Sequence, residues 1–108
     1  MKNYTLTITS ENDQYLKSCT SVDQNPWLGD PCPGVRYRFA FPNGYEASVI
    51  KFWGTYGWEQ DQWEMALMKD NEIVYEHDFK EDVIGFLTDE EVNEYLTKIK
   101  NIKEATND

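Results

Sequence analysis

This sequence has little of the chemistry on which enzymes depend. It contains one histidine, His77, and two cysteines, Cys19 and Cys32, without the paired short spacings of zinc sites. Gly54 and Gly57 do not have the spacing of a phosphate-binding loop, and no serine or cysteine lies in a recognisable nucleophile turn. We therefore expect no enzymatic activity, no catalytic residues, no metal site and no cofactor.

Long apolar runs are also missing. No stretch approaches the roughly 18 consecutive apolar residues that a membrane-spanning helix requires. Residues 1–10 alternate polar and apolar side chains and lack the continuous apolar core of a signal peptide. We expect an intracellular protein that does not bind membranes, in which Cys19 and Cys32 are free thiols. In a secreted protein the same two cysteines would form one disulfide, and the sequence allows both states.

Basic residues are scarce. The chain has 20 acidic residues against 10 lysines and arginines, a net charge of −10. Acids and bases balance within residues 1–54, so the whole excess lies in residues 55–108. Such a field repels nucleic acid and attracts basic surfaces. Solubility alone also accounts for an acidic excess, but its concentration in one half favours a functional acidic face.

The remaining composition is that of one folded domain. A chain of 108 residues with 40% hydrophobic and 15% aromatic residues can bury one core without disulfides or metals. We expect a single domain over residues 1–108. Residues 1–34 hold an N-terminal strand and a Pro/Gly-rich loop, residues 35–103 hold sheet hairpins and a C-terminal helix, and residues 104–108 fray.

Alternation and turn residues predict the individual elements. Residues 4–10 alternate as a strand does, and residues 11–20 are compatible with a short helix. Asn43-Gly44 predicts a two-residue hairpin turn. That register pairs Val35 with Phe52 and Tyr37 with Ile50, which leaves a basic stripe on the opposite face. The stripe consists of Arg36, Arg38 and Lys51.

The second half of the chain predicts another hairpin and a helix. Residues 63–68 and 73–79 are strand-like and flank a turn at residues 69–72. Thr88 followed by Glu91 is a capping box, and apolar residues from Val92 to Ile99 recur at helical spacing. We therefore predict an α+β fold, with an antiparallel sheet of four to five strands and a C-terminal helix packed on one face.

Two features are candidates for binding a partner. Residues 52–63 contain five aromatic side chains around two glycines, and Tyr56, Trp58, Glu59 and Asp61 are the candidates within that loop. The alternative is that these rings complete the core. The second feature is an acidic run whose spaced carboxylates resemble the phosphates of DNA, although helix-dipole complementation accounts for its last part. Its candidate residues are Glu76, Asp78, Glu81, Asp82 and Glu90.

Three segments form a combined signature: YRFAFPNGYEASVIK at residues 37–51, WEMAL at 63–67 and DVIGFLTDEEV at 82–92. Together they resemble a family of small, mostly uncharacterised proteins of bacteriophages and prophages. The resemblance covers about residues 35–100, and the N-terminal segment of this chain is longer than the family pattern. It implies a location in the cytoplasm of the bacterial host. Small acidic phage proteins include anti-CRISPR and anti-restriction proteins, some of which imitate DNA.

These observations favour a non-enzymatic inhibitor of a bacterial defence system. We expect it to bind a basic nucleic-acid-handling protein, such as a CRISPR nuclease, and not to bind nucleic acid directly. The alternative is a structural or accessory protein whose basic stripe contacts the acidic edge of another copy. A third hypothesis is a small enzyme or sugar-binding module that uses the tryptophan loop.

Overall fold

The computed structural model describes residues 3–23, 33–75, 79 and 83–103. It confirms the predicted α+β architecture, in which an antiparallel sheet carries the C-terminal helix on one face. Five strands follow one another across the sheet in chain order, and the sixth pairs with the fourth. The elements are α1 (Ser10–Asp13), β1 (Leu16–Asp23), β2 (Pro33–Ala40), β3 (Glu46–Lys51), β4 (Trp63–Lys69), β5 (Glu72–Ile73), β6 (Ile84–Leu87) and α2 (Asp89–Lys100).

Helix α2 begins with the predicted capping box. Thr88 Oγ1 accepts a hydrogen bond from Glu91 N at 3.2 Å, and Glu91 Oε1 accepts one from Thr88 N at 3.0 Å. These bonds satisfy two of the backbone donors that a helix start would otherwise leave unpaired. The predicted apolar face packs against the sheet, where Val92, Leu96 and Ile99 are fully buried. Within the described ranges, no helix is long and apolar enough to cross a membrane.

The first hairpin forms at the predicted place but with a different turn. Phe41 N donates to Tyr45 O, so the connection is a three-residue loop over residues 42–44. Gly44 lies in the left-handed region at φ 93°. A three-residue loop that ends in a left-handed residue is the next most common hairpin connection after the two-residue turn. The extra loop residue shifts the pairing of the two strands by one.

The predicted register is therefore wrong by one residue. Val35 pairs with Lys51, and Ile50 pairs with Arg36. A shift of one residue moves every side chain of a strand to the other face, because side chains alternate with a period of two. The predicted basic stripe does not form, since Lys51 lies on the core face while Arg36 is exposed and Arg38 pairs with Glu46 at 2.9 Å.

Residues 4–10 are not the predicted strand. The segment has no regular secondary structure through Thr9, no described strand pairs with it, and side chains supply its hydrogen bonds instead. The predicted alternation is preserved, with Leu6 buried and Tyr4 and Ile8 partly buried. The bonds run from Leu6 N to Tyr37 Oη at 3.1 Å, from Thr7 N to Asp89 Oδ2 at 2.8 Å and from Thr9 N to Asn93 Oδ1 at 3.0 Å.

The helix predicted over residues 11–20 is wrong beyond its first turn. Helix α1 ends at Asp13, and the edge strand β1 begins at Leu16. The sequence of β1, LKSCTSVD, contains β-branched residues that favour a strand once a partner is present. The partner is β2, in which Tyr37 pairs with Cys19. Cys19 is a free, exposed thiol, and Cys32 lies outside the described residues.

The second hairpin is confirmed in position, but its second strand is short. Asp70 and Asn71 have φ values of 54° and 65°, as a two-residue primed turn requires. Strand β5 contains only Glu72–Ile73, and His77 lies outside the described residues. Strand β6 then pairs with the other end of β4, where Leu87 faces Trp63.

Lys51 is buried in the core as a consequence of the observed register. Its side chain is 2% exposed, and Nζ donates to Asn3 O at 2.7 Å, Asp61 O at 3.0 Å and Asp61 Oδ1 at 2.9 Å. Nζ also lies 4.2 Å from the centre of the Trp63 ring. Three acceptors match the three N–H donors of the ammonium group. The charge is therefore buried without an unsatisfied donor.

Replacing Lys51 by methionine is expected to lower the free energy of unfolding by about 2–4 kcal/mol. Removing one partner of a buried ion pair costs about 3–5 kcal/mol, and the partly exposed Asp61 can recover some hydration. Urea unfolding measures this loss. Lys17→Met is the matched control, because Lys17 is exposed and its ion pair with Glu46 is long, at 4.0 Å. This substitution should change the free energy of unfolding by less than about 0.5 kcal/mol. Equal effects of the two substitutions would contradict the role of Lys51.

Tyr37 links the N-terminal segment to the sheet, and its buried phenol has a raised pKa. Its hydroxyl accepts from Leu6 N and donates to Tyr4 O at 3.2 Å. Burial raises the pKa of the Tyr37 phenol above its ordinary value of 10.0, while the hydrogen bond from Leu6 lowers it in part. The neutral phenol is therefore favoured in the folded state, and its contribution to stability is complete below pH 10.

Tyr37→Phe should cost about 1–3 kcal/mol at pH 8, because Leu6 N and Tyr4 O lose a buried partner. Above pH 10 the unfolded chain releases the Tyr37 proton more readily than the folded chain, so wild-type stability should fall as pH rises. The difference in free energy of unfolding between the wild type and Tyr37→Phe should therefore be smaller above pH 10 than at pH 8, as measured by urea unfolding. A constant difference across this range would contradict the raised pKa.

Candidate binding cleft

The loop between β3 and β4 is folded by two glycines and a threonine. Gly54 and Gly57 have φ values of 96° and 101°, which side chains rarely tolerate. Thr55 Oγ1 donates to Phe52 O at 2.8 Å and accepts from Phe52 N at 3.3 Å. A single 3-10 turn at Trp58–Gln60 follows. The loop is therefore a defined structure that holds its aromatic side chains in fixed directions.

The loop encloses a cleft of about 310 Å³ together with one residue of β6. Three aromatic side chains at this cleft are at least half exposed: Trp53 at 50%, Tyr56 at 60% and Phe86 at 54%. Trp58 also lines the cleft but is half-buried, and its Nε1 donates to Tyr4 Oη at 3.2 Å. The complete lining is Trp53, Gly54, Thr55, Tyr56, Gly57, Trp58, Glu59, Gln60 and Phe86.

Phe86 is held in a strained conformation at the cleft. Its φ is 59°, in the left-handed region that a bulky side chain rarely adopts. Phe86 N donates to Tyr56 O at 3.3 Å, and the two ring centres are 6.4 Å apart. The neighbouring Gly85 permits this contact, because a Cβ at Gly85 would lie 2.3 Å from Tyr56 Cβ. The backbone of β6 at Gly85-Phe86 therefore lies directly against Tyr56 of the β3–β4 loop.

A buried carboxylate fixes the other side of Tyr56. Glu64 is a buried residue of β4, and its Oε1 accepts a hydrogen bond from Tyr56 N at 2.9 Å. A charge-assisted hydrogen bond to a backbone N–H is stronger than a neutral one. The backbone of Tyr56 is thus held by Glu64 on one side and by Phe86 on the other, while its ring stays exposed.

The structure brings together only part of the predicted site. Tyr56, Trp58 and Glu59 line the cleft as one group. Asp61 does not line it, because its carboxylate accepts hydrogen bonds from Lys51 and from Asn3 N. Glu90 lies on α2 in a different groove. The four remaining acidic candidates, Glu76, Asp78, Glu81 and Asp82, lie outside the described residues.

Sequence reasoning missed Trp53 and Phe86 as cleft residues. Trp53 was within the aromatic segment, but nothing in its spacing distinguishes a ring that faces solvent from one that faces the core. Gly85-Phe86 carried a usable signal, because a glycine inside a strand often marks the close approach of another backbone. Without the pairing of β6 the approaching segment could not be identified.

The cleft combines aromatic surface with one carboxylate, Glu59. This set suits an apolar or cationic side chain, since cations are attracted to aromatic faces and to carboxylates. In the part of the chain that the structure describes, no three histidine, cysteine, aspartate or glutamate side chains are grouped to hold a metal ion. Comparison with protein-family models, with curated proteins and with solved structures found no match to this chain.

The strain at Phe86 can be measured by comparing two substitutions. Phe86→Gly and Phe86→Ala both remove the ring, but only glycine adopts φ 59° without a steric penalty. We expect the glycine variant to be more stable than the alanine variant by about 1 kcal/mol in urea unfolding. At a residue without strain alanine is the more stable of the two by about 0.4–1 kcal/mol, and that order would contradict the assignment.

Proposed function

We propose that this protein is a binding protein without catalytic activity, which docks on another protein through the aromatic cleft. The observation that carries the proposal is the exposure of Trp53, Tyr56 and Phe86 around one cleft. Exposed aromatic residues of this kind are the side chains that contribute most to protein interfaces. They lie on a defined loop, so little conformational entropy is lost when they are covered.

Backbone strain supports the same proposal. Phe86 has a left-handed backbone and an exposed ring. In the free protein, burial of the Phe86 ring therefore offsets little of the backbone strain. Strained residues of this type are concentrated at functional sites. A partner that covers the Phe86 ring would bury its apolar surface and so offset the strain.

The partner that fits this surface is basic. The charged side chain of the cleft is Glu59, and the chain carries a net charge of −10 that attracts basic surfaces over long range. An arginine or lysine side chain from the partner can place its apolar stem against the aromatic rings and its charge beside Glu59. Electrostatic attraction of this kind accelerates association and weakens with added salt.

Nucleic-acid-handling proteins present such basic surfaces, and we propose one of them as the target. The resemblance to phage proteins supports the finer assignment, an inhibitor of a bacterial defence system of the anti-CRISPR type that occupies a basic nucleic-acid channel. The alternative through self-association has less support. It relied on a basic stripe that included Lys51, and Lys51 is buried.

The matched pair Tyr56→Ala and Tyr75→Ala tests the cleft. Both tyrosines are similarly exposed, at 60% and 57%, but only Tyr56 lines the cleft. A tagged pull-down with added CRISPR effector complexes should show capture that decreases as salt rises and that DNA displaces. Tyr56→Ala should weaken the captured complex at least tenfold, about 1.4 kcal/mol, whereas Tyr75→Ala should change it less than twofold.

Thermal melts of both variants control for unfolding, since each substitution lies at the surface and should leave the fold intact. Equal binding by the Tyr56 and Tyr75 variants would contradict docking through the cleft. Capture of the protein by its own copies alone, with salt-sensitive oligomers in sizing chromatography, would favour self-association instead.

A further inference from the structure

A second groove, which shares no lining residue with the aromatic cleft, lies between the N-terminal segment with α1 and the exposed side of α2. Its volume is about 560 Å³. The side chains that line it end in carboxylate, hydroxyl, amide or methyl groups, and most of the surface that they expose to the groove is apolar. The residues are Thr7, Thr9, Glu11, Asn12, Asp89, Glu90, Asn93, Glu94 and Thr97.

The carboxylates of this groove differ in what they already bind. Asp89 accepts from Trp63 Nε1 at 2.7 Å and from Thr7 N at 2.8 Å, so its oxygens are used within the fold. Glu11 forms an ion pair with Lys100. Glu90 and Glu94 are exposed, and no group in the described ranges donates to either of them. These two side chains are therefore the carboxylates of the groove that no described group binds.

The spacing of Glu90 and Glu94 places their two negative charges close together. They lie four residues apart on α2, where side chains are neighbours on one helix face. Like charges at this spacing repel each other and destabilise a helix. A cation between them would remove the repulsion. Lys100 already neutralises Glu11 at the same groove, and the resulting hydrogen bond raises the pKa of the Lys100 ammonium group.

A second and independent observation concerns Asn12. This residue is 1% exposed and lines the groove. Its Nδ2 donates to Asn93 O and to Asn93 Oδ1, each at 3.2 Å. Its Oδ1 has no donor among the described residues, which is unusual for a buried side-chain oxygen. The groove therefore has a buried acceptor without a donor, in addition to the two exposed carboxylates of Glu90 and Glu94.

We propose that this groove binds the guanidinium group of an arginine side chain from a partner protein. A guanidinium carries a positive charge and five N–H donors in a planar fork, so it can serve several separated acceptors at once. Glu90 and Glu94 neutralise its charge. The Asn12 amide and the neighbouring threonine hydroxyls provide further acceptors. The inference does not depend on the aromatic cleft, because it rests on different residues.

The experiment is a titration of the ¹⁵N-labelled protein with the acetylated and amidated tetrapeptide of arginine, followed by NMR. We expect saturable shifts of the Thr9, Asn12 and Thr97 amides. The same peptide built from citrulline, which keeps the shape but lacks the charge, should give no saturable shift. Binding by the citrulline peptide, or arginine shifts confined to residues outside the groove, would overturn the proposal.

Two double variants with equal charge changes separate the groove from general electrostatics. Glu90→Gln with Glu94→Gln should weaken arginine binding at least tenfold. Asp70→Asn with Glu72→Gln, at the exposed turn between β4 and β5, should weaken it less than twofold. Equal weakening by the two variants would identify non-specific charge attraction and overturn the proposal.

Folding is not expected to limit this comparison. The Glu90 and Glu94 substitutions remove a repulsive pair but also a charge that favours the start of α2, so the melting temperature should change little. Tyr56→Ala should leave the arginine-induced shifts of the Thr9, Asn12 and Thr97 amides unchanged, whereas it should weaken capture of the partner that docks on the aromatic cleft. Failure of the groove and failure of the cleft therefore give different results.

Discussion

The structure depends on hydrogen bonds from side chains to the backbone of residues 3–9. Tyr37 of the sheet binds the backbone of Tyr4 and Leu6, Asn93 of α2 binds Thr7 and Thr9, and Lys51 binds Asn3. An extended segment cannot be buried with its amides unpaired. These side chains therefore take the place of a neighbouring strand. They also join the sheet, the helix and the β3–β4 loop through one segment, so the two candidate surfaces are both connected to the N-terminal segment.

The elements were largely predictable from sequence, and the failures have a physical cause. The Asn43-Gly44 signal located the hairpin, and Thr88 with Glu91 located the start of α2, because both signals act within a few residues. The register failed because two-residue and three-residue loops use the same residue types. That single difference decided whether Lys51 is a surface residue or a buried one. The sequence pattern places Asp61 among the binding candidates of the aromatic loop, whereas its carboxylate pairs with the buried Lys51.

The candidate site shows the same limit. Tyr56 and Trp58 were recognisable because their aromatic side chains are close in sequence. Phe86 lies 30 residues away from Tyr56 and reaches the cleft only through the pairing of β6 with β4. Likewise, the groove at α2 depends on the hydrogen bonds between Asn12 and Asn93, which are 81 residues apart. Contacts between distant segments are set by tertiary packing, and local patterns do not encode them.

The acidic residues that the structure describes in the second half of the chain have different roles. Asp61, Glu64 and Asp89 bind groups of the protein itself, and they stabilise the fold instead of attracting a partner. Glu59, Glu90 and Glu94 are exposed at the two candidate surfaces. Because the two proposals invoke the same chemistry, a cation with an apolar stem, they are compatible with a single arginine-rich partner. Two weak contacts on one rigid protein give a much tighter complex than either alone when the partner can reach both. Spatial separation of the two surfaces would then add to specificity, since a partner must match the distance as well as the charge.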